Sequence, residues 1–192
     1  MLSNTMKAFY ATSLVVGWIL LHGTTCHAST YEEGIKLFED YYKELAGKYR
    51  KGNEPVVLDH GHVTKHSIVL IHGITDSPYY MLEIGKRFKD HGLNVVLPLL
   101  DAHGLKEPKN TQETGIGKEG IYKDWKKTVE NAVKVASLLS SESVSIGGLS
   151  TGGTLSVYQV LDNPNSISGG VFLFSAALEI DYLNEIAGKT LY

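Results

Sequence analysis

This 192-residue sequence predicts an α/β architecture, a mostly parallel sheet with helices on both faces. Two observations carry that expectation. Past residue 28, short apolar runs of strand length alternate with longer segments whose apolar residues recur every three or four positions, the spacings of strand and helix respectively. The short runs are also continuously apolar, as strands covered on both faces must be. A composition of 43% hydrophobic and 20% charged residues sets disordered and collagen-like chains aside.

Taken in order, Ile35, Phe38, Tyr42 and Leu45 mark an amphipathic helix over 31–48. Residues 67–71, Ser-Ile-Val-Leu-Ile, form a buried strand ending at His72-Gly73. The turn Thr75-Asp76-Ser77-Pro78 opens a helix to about Asp90, with Pro78 in the first turn, where its missing N–H costs nothing. Gly92 stops it. Asn94 to Leu100 is a second strand, and 118–139 is a helix turning Ile121, Trp125, Val129, Val133 and Leu138 inward. Ser143 to Ile146 is a third strand, followed by a helix from Thr151 to about Leu161 and an interior strand from Gly170 to Ala176. In such a sheet, ligands sit beyond the carboxyl ends of the strands.

Residues 1–28 read as a signal peptide. Lys7 is their only charge, and Ala8 to Leu21 is an uncharged, mostly apolar run, too short to span a bilayer but of h-region length. Cys26 and Ala28 put small side chains at the −3 and −1 positions, so cleavage is expected after Ala28, leaving a partial domain over 29–192 that is exported and has no stable membrane span. Met1 and Met6 are both possible starts. A lipoprotein acylated on Cys26 is the rival, although Gly23-Thr24-Thr25 lacks the usual large aliphatic residue.

Charge and cysteine content narrow the chemistry. With 18 Lys and Arg against 21 Asp and Glu, the net charge is −3, which leaves no cationic surplus to displace counterions from a nucleic acid. One cysteine excludes a disulfide framework and a Cys-rich zinc site. His60, His62 and His66 read as part of a surface hairpin and not as metal ligands, and Gly115 to Gly120 fits G-x-G-x-x-G without the apolar strand a dinucleotide site needs. No cofactor or metal is expected. Tyr41, Tyr42 and Tyr49 read as partly buried aromatics with hydroxyls in water.

Gly148-Leu149-Ser150-Thr151-Gly152 matches G-x-S-x-G, the strand-to-helix turn that lifts a serine hydroxyl above the sheet. The string alone is weak evidence. Its setting is stronger, because the strand Ser143 to Gly147 precedes it and a helical run follows. Gly148 and Gly152 meet the need for small residues in so tight a turn; the plainer alternative is a glycine-rich turn with a capping serine. Upstream, His72-Gly73 closes the strand before a loop able to aim the Ile74 N–H at an oxyanion, paired with the N–H of Thr151.

These motifs, together with Pro98-Leu99-Leu100-Asp101-Ala102-His103-Gly104 and Asp124-Trp125, resemble the α/β-hydrolase fold over about 55–178. Within it the likeness is to bacterial carboxylesterases and monoacylglycerol lipases, which overlap with serine aminopeptidase-like hydrolases. The resemblance implies Ser150 as nucleophile, Ile74 and Thr151 as the oxyanion hole, and a small acyl ester as substrate. The middle motif in that group reads Pro-Gly-His-Gly, whereas Asp101-Ala102 stand here in place of Pro-Gly. In this fold the triad runs Ser, then Asp or Glu, then His. All eight histidines precede Ser150, and Asp162 and Asp181 fall too early for the acid. The chain therefore reads as an amino-terminal portion of such a hydrolase, truncated before the last strands, with a rearranged triad through His103 as the alternative.

Overall fold

The computed structural model describes residues 30–107 and 118–178. Five strands, β1 (Val56–Leu58), β2 (Thr64–Ile71), β3 (Asn94–Leu97), β4 (Ser140–Leu149) and β5 (Val171–Phe174), form one sheet in the order β1-β3-β2-β4-β5. All neighbours run parallel except β1, which lies antiparallel on β3. The helices are α1 over residues 30–42, α2 (Pro78–Asp90), α3 (Ile121–Leu138) and α4 (Thr151–Asp162).

The period of two in β2 divides the interior into two cores. Ile68 and Leu70 join Val95 and Leu97 beneath Met81 of α2. Val69 and Ile71 face the other way, with Val96 and Ile146, onto Trp125, Val129 and Val133 of α3 and Leu155 of α4. The four β2 residues are wholly buried, and burial on this scale contributes about 1.5–3 kcal/mol per large side chain. Phe38 and Tyr41 of α1 pack on the second core. Helices thus cover both faces, as the alternating periodicity predicts.

Several boundaries differ from the sequence reading, each for a local reason. The first helix ends at residue 42, giving way to a 3₁₀ turn (Lys43–Leu45) and to Gly47 at φ 75°, so 46–48 is not helical. β3 stops at Leu97 because Pro98 has no N–H to give the ladder. β2 and β4 extend beyond their predicted spans by pairing from Thr64 opposite Ser140 to Ile71 opposite Gly148. Leu139, wholly buried, fills the place expected for Leu138. The strand expected over 170–176 shortens to 171–174, and it forms the edge of the described sheet, with Val171, Phe172 and Leu173 about two fifths exposed.

The hairpin expected around His60 to His66 does not form, because β1 pairs with β3. Asn94 supplies the reason. Its side-chain amide donates to the carbonyls of His62 and Leu139 and accepts from the His60 N–H, which ties the β1–β2 loop across the amino end of the sheet. The tyrosine hydroxyls are also less wet than expected: that of Tyr42 accepts from the Leu99 N–H, and that of Tyr49 donates to the Tyr42 carbonyl. No helix among the described residues is long and apolar enough to cross a membrane. The expected signal peptide and the first half of the Gly115–Gly120 motif, residues 115–117, lie outside the described residues.

Candidate active site

β4 ends at Leu149 and α4 begins at Thr151, so Ser150 alone turns the chain. It does so at φ 51° and ψ −116°, a conformation that costs a non-glycine residue about 1–3 kcal/mol. Backbone hydrogen bonds hold it there. The Ser150 N–H donates to the Phe174 carbonyl at 3.0 Å, and the Ser150 carbonyl accepts from the N–H groups of Gly153 (2.9 Å), Thr154 (3.2 Å) and Ala177 (3.3 Å). Although Ser150 occupies the N-cap of α4, its side chain makes no capping hydrogen bond. The capping-serine alternative therefore fails, and among the described residues the hydroxyl of this partly exposed residue has no partner. The Thr151 N–H, first in α4, has no intrahelical acceptor.

Three glycines make the turn possible. A Cβ on Gly148 would run into Gly152 and come within 2.7 Å of the Gly153 nitrogen. One on Gly152 would strike the carbonyls of Ile71 and His72, the latter at 2.6 Å. Gly153, which the motif does not single out, faces the Ala176 methyl at 2.5 Å on the same test. The start of α4 thus lies against the end of β2.

The Ile71–Thr75 turn is what it lies against. Ile71 pairs with Gly148 in register, so the loop leaving β2 begins beside the serine turn. His72 is wholly buried. Its Nε2 accepts from the Leu100 N–H at 3.1 Å, so that nitrogen is bare and the proton sits on Nδ1, which donates to the Gly73 carbonyl at 2.8 Å. Burial pushes the His72 pKa down from 6.5 to about 3 against the pull of that hydrogen bond, and His103 depresses it further. The ring is neutral and both its nitrogens are engaged. Gly73 has no room for a side chain, since a Cβ would lie 2.6 Å from the Asp76 carboxylate. Ile74 is 40% exposed, and within the described residues its N–H, like that of Thr151, donates to no acceptor.

His103 comes from the loop after β3. The substitutions at 101–102 leave this loop with a glycine-like shape, for Ala102 takes φ 66° and Gly104 φ 64°. His103 is 3% exposed. Its Nε2 lies 2.6 Å from the Ile74 carbonyl and its Nδ1 2.9 Å from the Asp101 carbonyl. The ring stands edge-on to His72 and Trp125, at centroid separations of 4.9 and 5.5 Å. Trp125 Nε1 donates to the Asp101 carbonyl and Thr128 Oγ1 to the Asp101 carboxylate, at 3.0 and 2.7 Å, so α3 anchors the loop.

These contacts decide what can take a proton from Ser150. Both His103 nitrogens face backbone carbonyls, so the ring shapes the loop and does not pair with the serine. His66 faces Ser143, while His60 and His91 face the carbonyls of Lys89 and Arg87, at the amino end of the sheet. Asp162, at the far end of α4, is ion-paired with Lys126. Among the described residues the serine turn and the Ile74 loop come together without an acid–base pair. No cluster of three or more His, Cys, Asp or Glu there could hold a metal ion.

Known proteins resemble this chain in sequence and in fold. A thermostable monoacylglycerol lipase from Bacillus sp. (strain H-257) is 28% identical over 129 residues, which are 67% of this chain and 46% of the lipase. A solved structure from work on LipS and LipT, two metagenome-derived lipolytic enzymes, superposes with a TM-score of 0.59 at 24% identity, covering 73% of this chain and 52% of that one; at that identity it speaks for the α/β-hydrolase fold alone. The chain spans about half the length of these relatives. The family model described as Serine aminopeptidase, S33 matches residues 62–191, and by that match over most of its length the chain belongs to this family.

Proposed function

We propose that the chain is the nucleophile-bearing part of an exported hydrolase that cleaves small-molecule carboxylic esters through an acyl-enzyme on Ser150. One observation carries the reading: an uncapped serine hydroxyl on a strained turn, next to the Thr151 N–H and to the loop that bears the Ile74 N–H, neither of which has an acceptor among the described residues. Ser150 Oγ attacks the ester carbonyl carbon, and the carbonyl oxygen, now negative, is held by the N–H groups of Ile74 and Thr151. Collapse expels the alcohol and leaves acyl-Ser150; water then attacks the acyl carbon and releases the acid. The lipase named above supports an ester as substrate.

The serine proton needs a base, which then returns it to the leaving alcohol. In this fold the acid and base follow the nucleophile, and no histidine follows Ser150 in the sequence. Our reading therefore places both outside these 192 residues. A serine lacking its base retains only about 10³–10⁴ over the water reaction, a loss near 10⁶ in turnover. The second reading, a non-catalytic chain that binds acyl ligands, is favoured by the absence of a described histidine beside Ser150.

Hydrolysis of p-nitrophenyl butyrate tests this. The 192-residue chain should show only the residual rate, little changed by Ser150→Ala. A chain extended through further strands should be strongly active, and the same substitution should abolish that activity and labelling by a fluorophosphonate. Robust hydrolysis by the 192-residue form, lost in both Ser150→Ala and His103→Ala, would move the base upstream and overturn the scheme. Export predicts a mature protein beginning at Ser29, and secreted material still carrying Met1 or Met6 would refute it.

A further inference from the structure

The Ile74 N–H belongs to the Gly73–Ile74 peptide, whose carbonyl is the one His72 holds. In a trans peptide the carbonyl and the N–H point opposite ways. Whatever fixes the Gly73 oxygen inward therefore fixes the Ile74 hydrogen outward. Two donors do so, His72 Nδ1–H at 2.8 Å and the Asp76 N–H at 3.2 Å. The next peptide is held as well, by its Ile74 carbonyl, 2.6 Å from His103 Nε2, in the tautomer that puts the ring proton on that nitrogen and not on Nδ1, which lies farther, at 2.9 Å, from the Asp101 carbonyl. The two loops lock each other, since Leu100 of the second donates to His72 of the first and Ile74 of the first accepts from His103 of the second.

We infer that buried His72 and His103 are positioning residues that hold consecutive peptides of the oxyanion loop, so that the Ile74 N–H stays aimed at the site beside Ser150. This rests on the oxyanion role proposed above for Ile74. Without the hold, the Gly73–Ile74 peptide can flip and present a carbonyl oxygen where negative charge has to be bound. A donor on the Gly73 oxygen also polarises the peptide and strengthens its N–H as a donor. Glycine at 73, with no Cβ to meet Asp76, leaves room for this arrangement.

The test uses the 192-residue chain, ¹⁵N-labelled, at about pH 7. His72 should carry its proton on Nδ1, with Nε2 bare. His103→Leu should lower the Ile74 amide order parameter from the rigid value of about 0.85 to below about 0.6, while Val69 and Ile146 in the core stay rigid. His103→Gln, whose amide can donate to the Ile74 carbonyl, should restore it. Residual ester hydrolysis comes from the oxyanion hole and binding, so its kcat should fall roughly 10- to 100-fold in His103→Leu at unchanged KM and recover in His103→Gln. If His103→Leu does not fold, the His72 tautomer and the His103→Gln order parameter decide alone. A proton on His72 Nε2, or an Ile74 amide as rigid in His103→Leu as in wild type with kcat unaltered, would overturn the inference. A wild type with no hydrolysis above water, but with the stated tautomer and a rigid Ile74, would refute the ester-hydrolase reading and leave the histidine hold supported.

Discussion

Replacing Ser150 by glycine should make the protein more stable while removing its proposed nucleophile. Ser150 sits at φ 51°, ψ −116°, at a cost of about 1–3 kcal/mol to any residue with a Cβ. Glycine escapes that cost but loses about 0.5–1 kcal/mol through its freer unfolded chain. The net expectation is a gain of about 1 kcal/mol. Ser150→Ala is the proper reference, because it keeps the Cβ and removes only a hydroxyl that makes no capping bond; its own effect should stay within about 0.5 kcal/mol. For a domain of this size the glycine variant should then melt about 2–4 °C above the alanine variant, with a matching rise in urea midpoint at constant slope. Calorimetry on the two variants settles the matter. A glycine variant no more stable than the alanine one would mean that the turn stores no strain, and a large loss in Ser150→Ala would mean that the hydroxyl is already engaged.

His72 sets a pH dependence whose sign follows from its lowered pKa. The unfolded ring protonates near 6.5 and the folded one near 3, so its contribution is complete above about pH 6.5 and is lost as pH falls toward 3, at about 1.4 kcal/mol per unit. Urea unfolding at about pH 7 and pH 5 should show a loss of roughly 2 kcal/mol in wild type that His72→Gln lacks; equal losses would contradict the argument. Gly152→Ala drives a methyl into two backbone carbonyls and should destabilise by about 2 kcal/mol, the overpacking cost less the helix propensity gained. Gly153→Ala, which meets mainly a side-chain methyl, should cost less, and the reverse order in urea midpoints would show that the β2–α4 contact is not the tight one. Ala102→Gly relieves a left-handed residue and should stabilise by about 0.5 kcal/mol, strain relief less glycine entropy; a lower melting temperature would count against that balance.

The serine turn was legible because its motif is short-range. Gly148, Ser150 and Gly152 lie within five residues, and a strand and a helix flank them, so neighbouring residues alone specify the geometry. The same holds for the end of β2 at His72. The roles of His72 and His103 were not legible, because their ring nitrogens bind backbone atoms 28 and 29 residues away, and nothing in the residue types announces which carbonyl a histidine will meet. β1 leaves no signal in the sequence because three residues carry no period. The apolar spacing carries the first helix too far because Leu45 continues it although the backbone has already tightened into a 3₁₀ turn. A continuous apolar run such as that of β5 looks alike in the middle of a sheet and at its border, so its place at the margin of the described sheet is read from the strand pairing alone.

That border strand bears on the serine from an unexpected direction. β5 is four residues long, its side chains are among the more exposed of the sheet, and it hydrogen-bonds only to β4 among the described strands. Yet the Ser150 N–H rests on its last residue, and the Ser150 carbonyl receives Ala177 just beyond it. Local opening is easiest where few apolar contacts resist it, so each time this margin frays, the backbone that strains Ser150 loses two of its four restraints. The serine turn is only as persistent as the strand beside it, and any segment that covers Val171 to Phe174 will sharpen the serine's geometry without touching it.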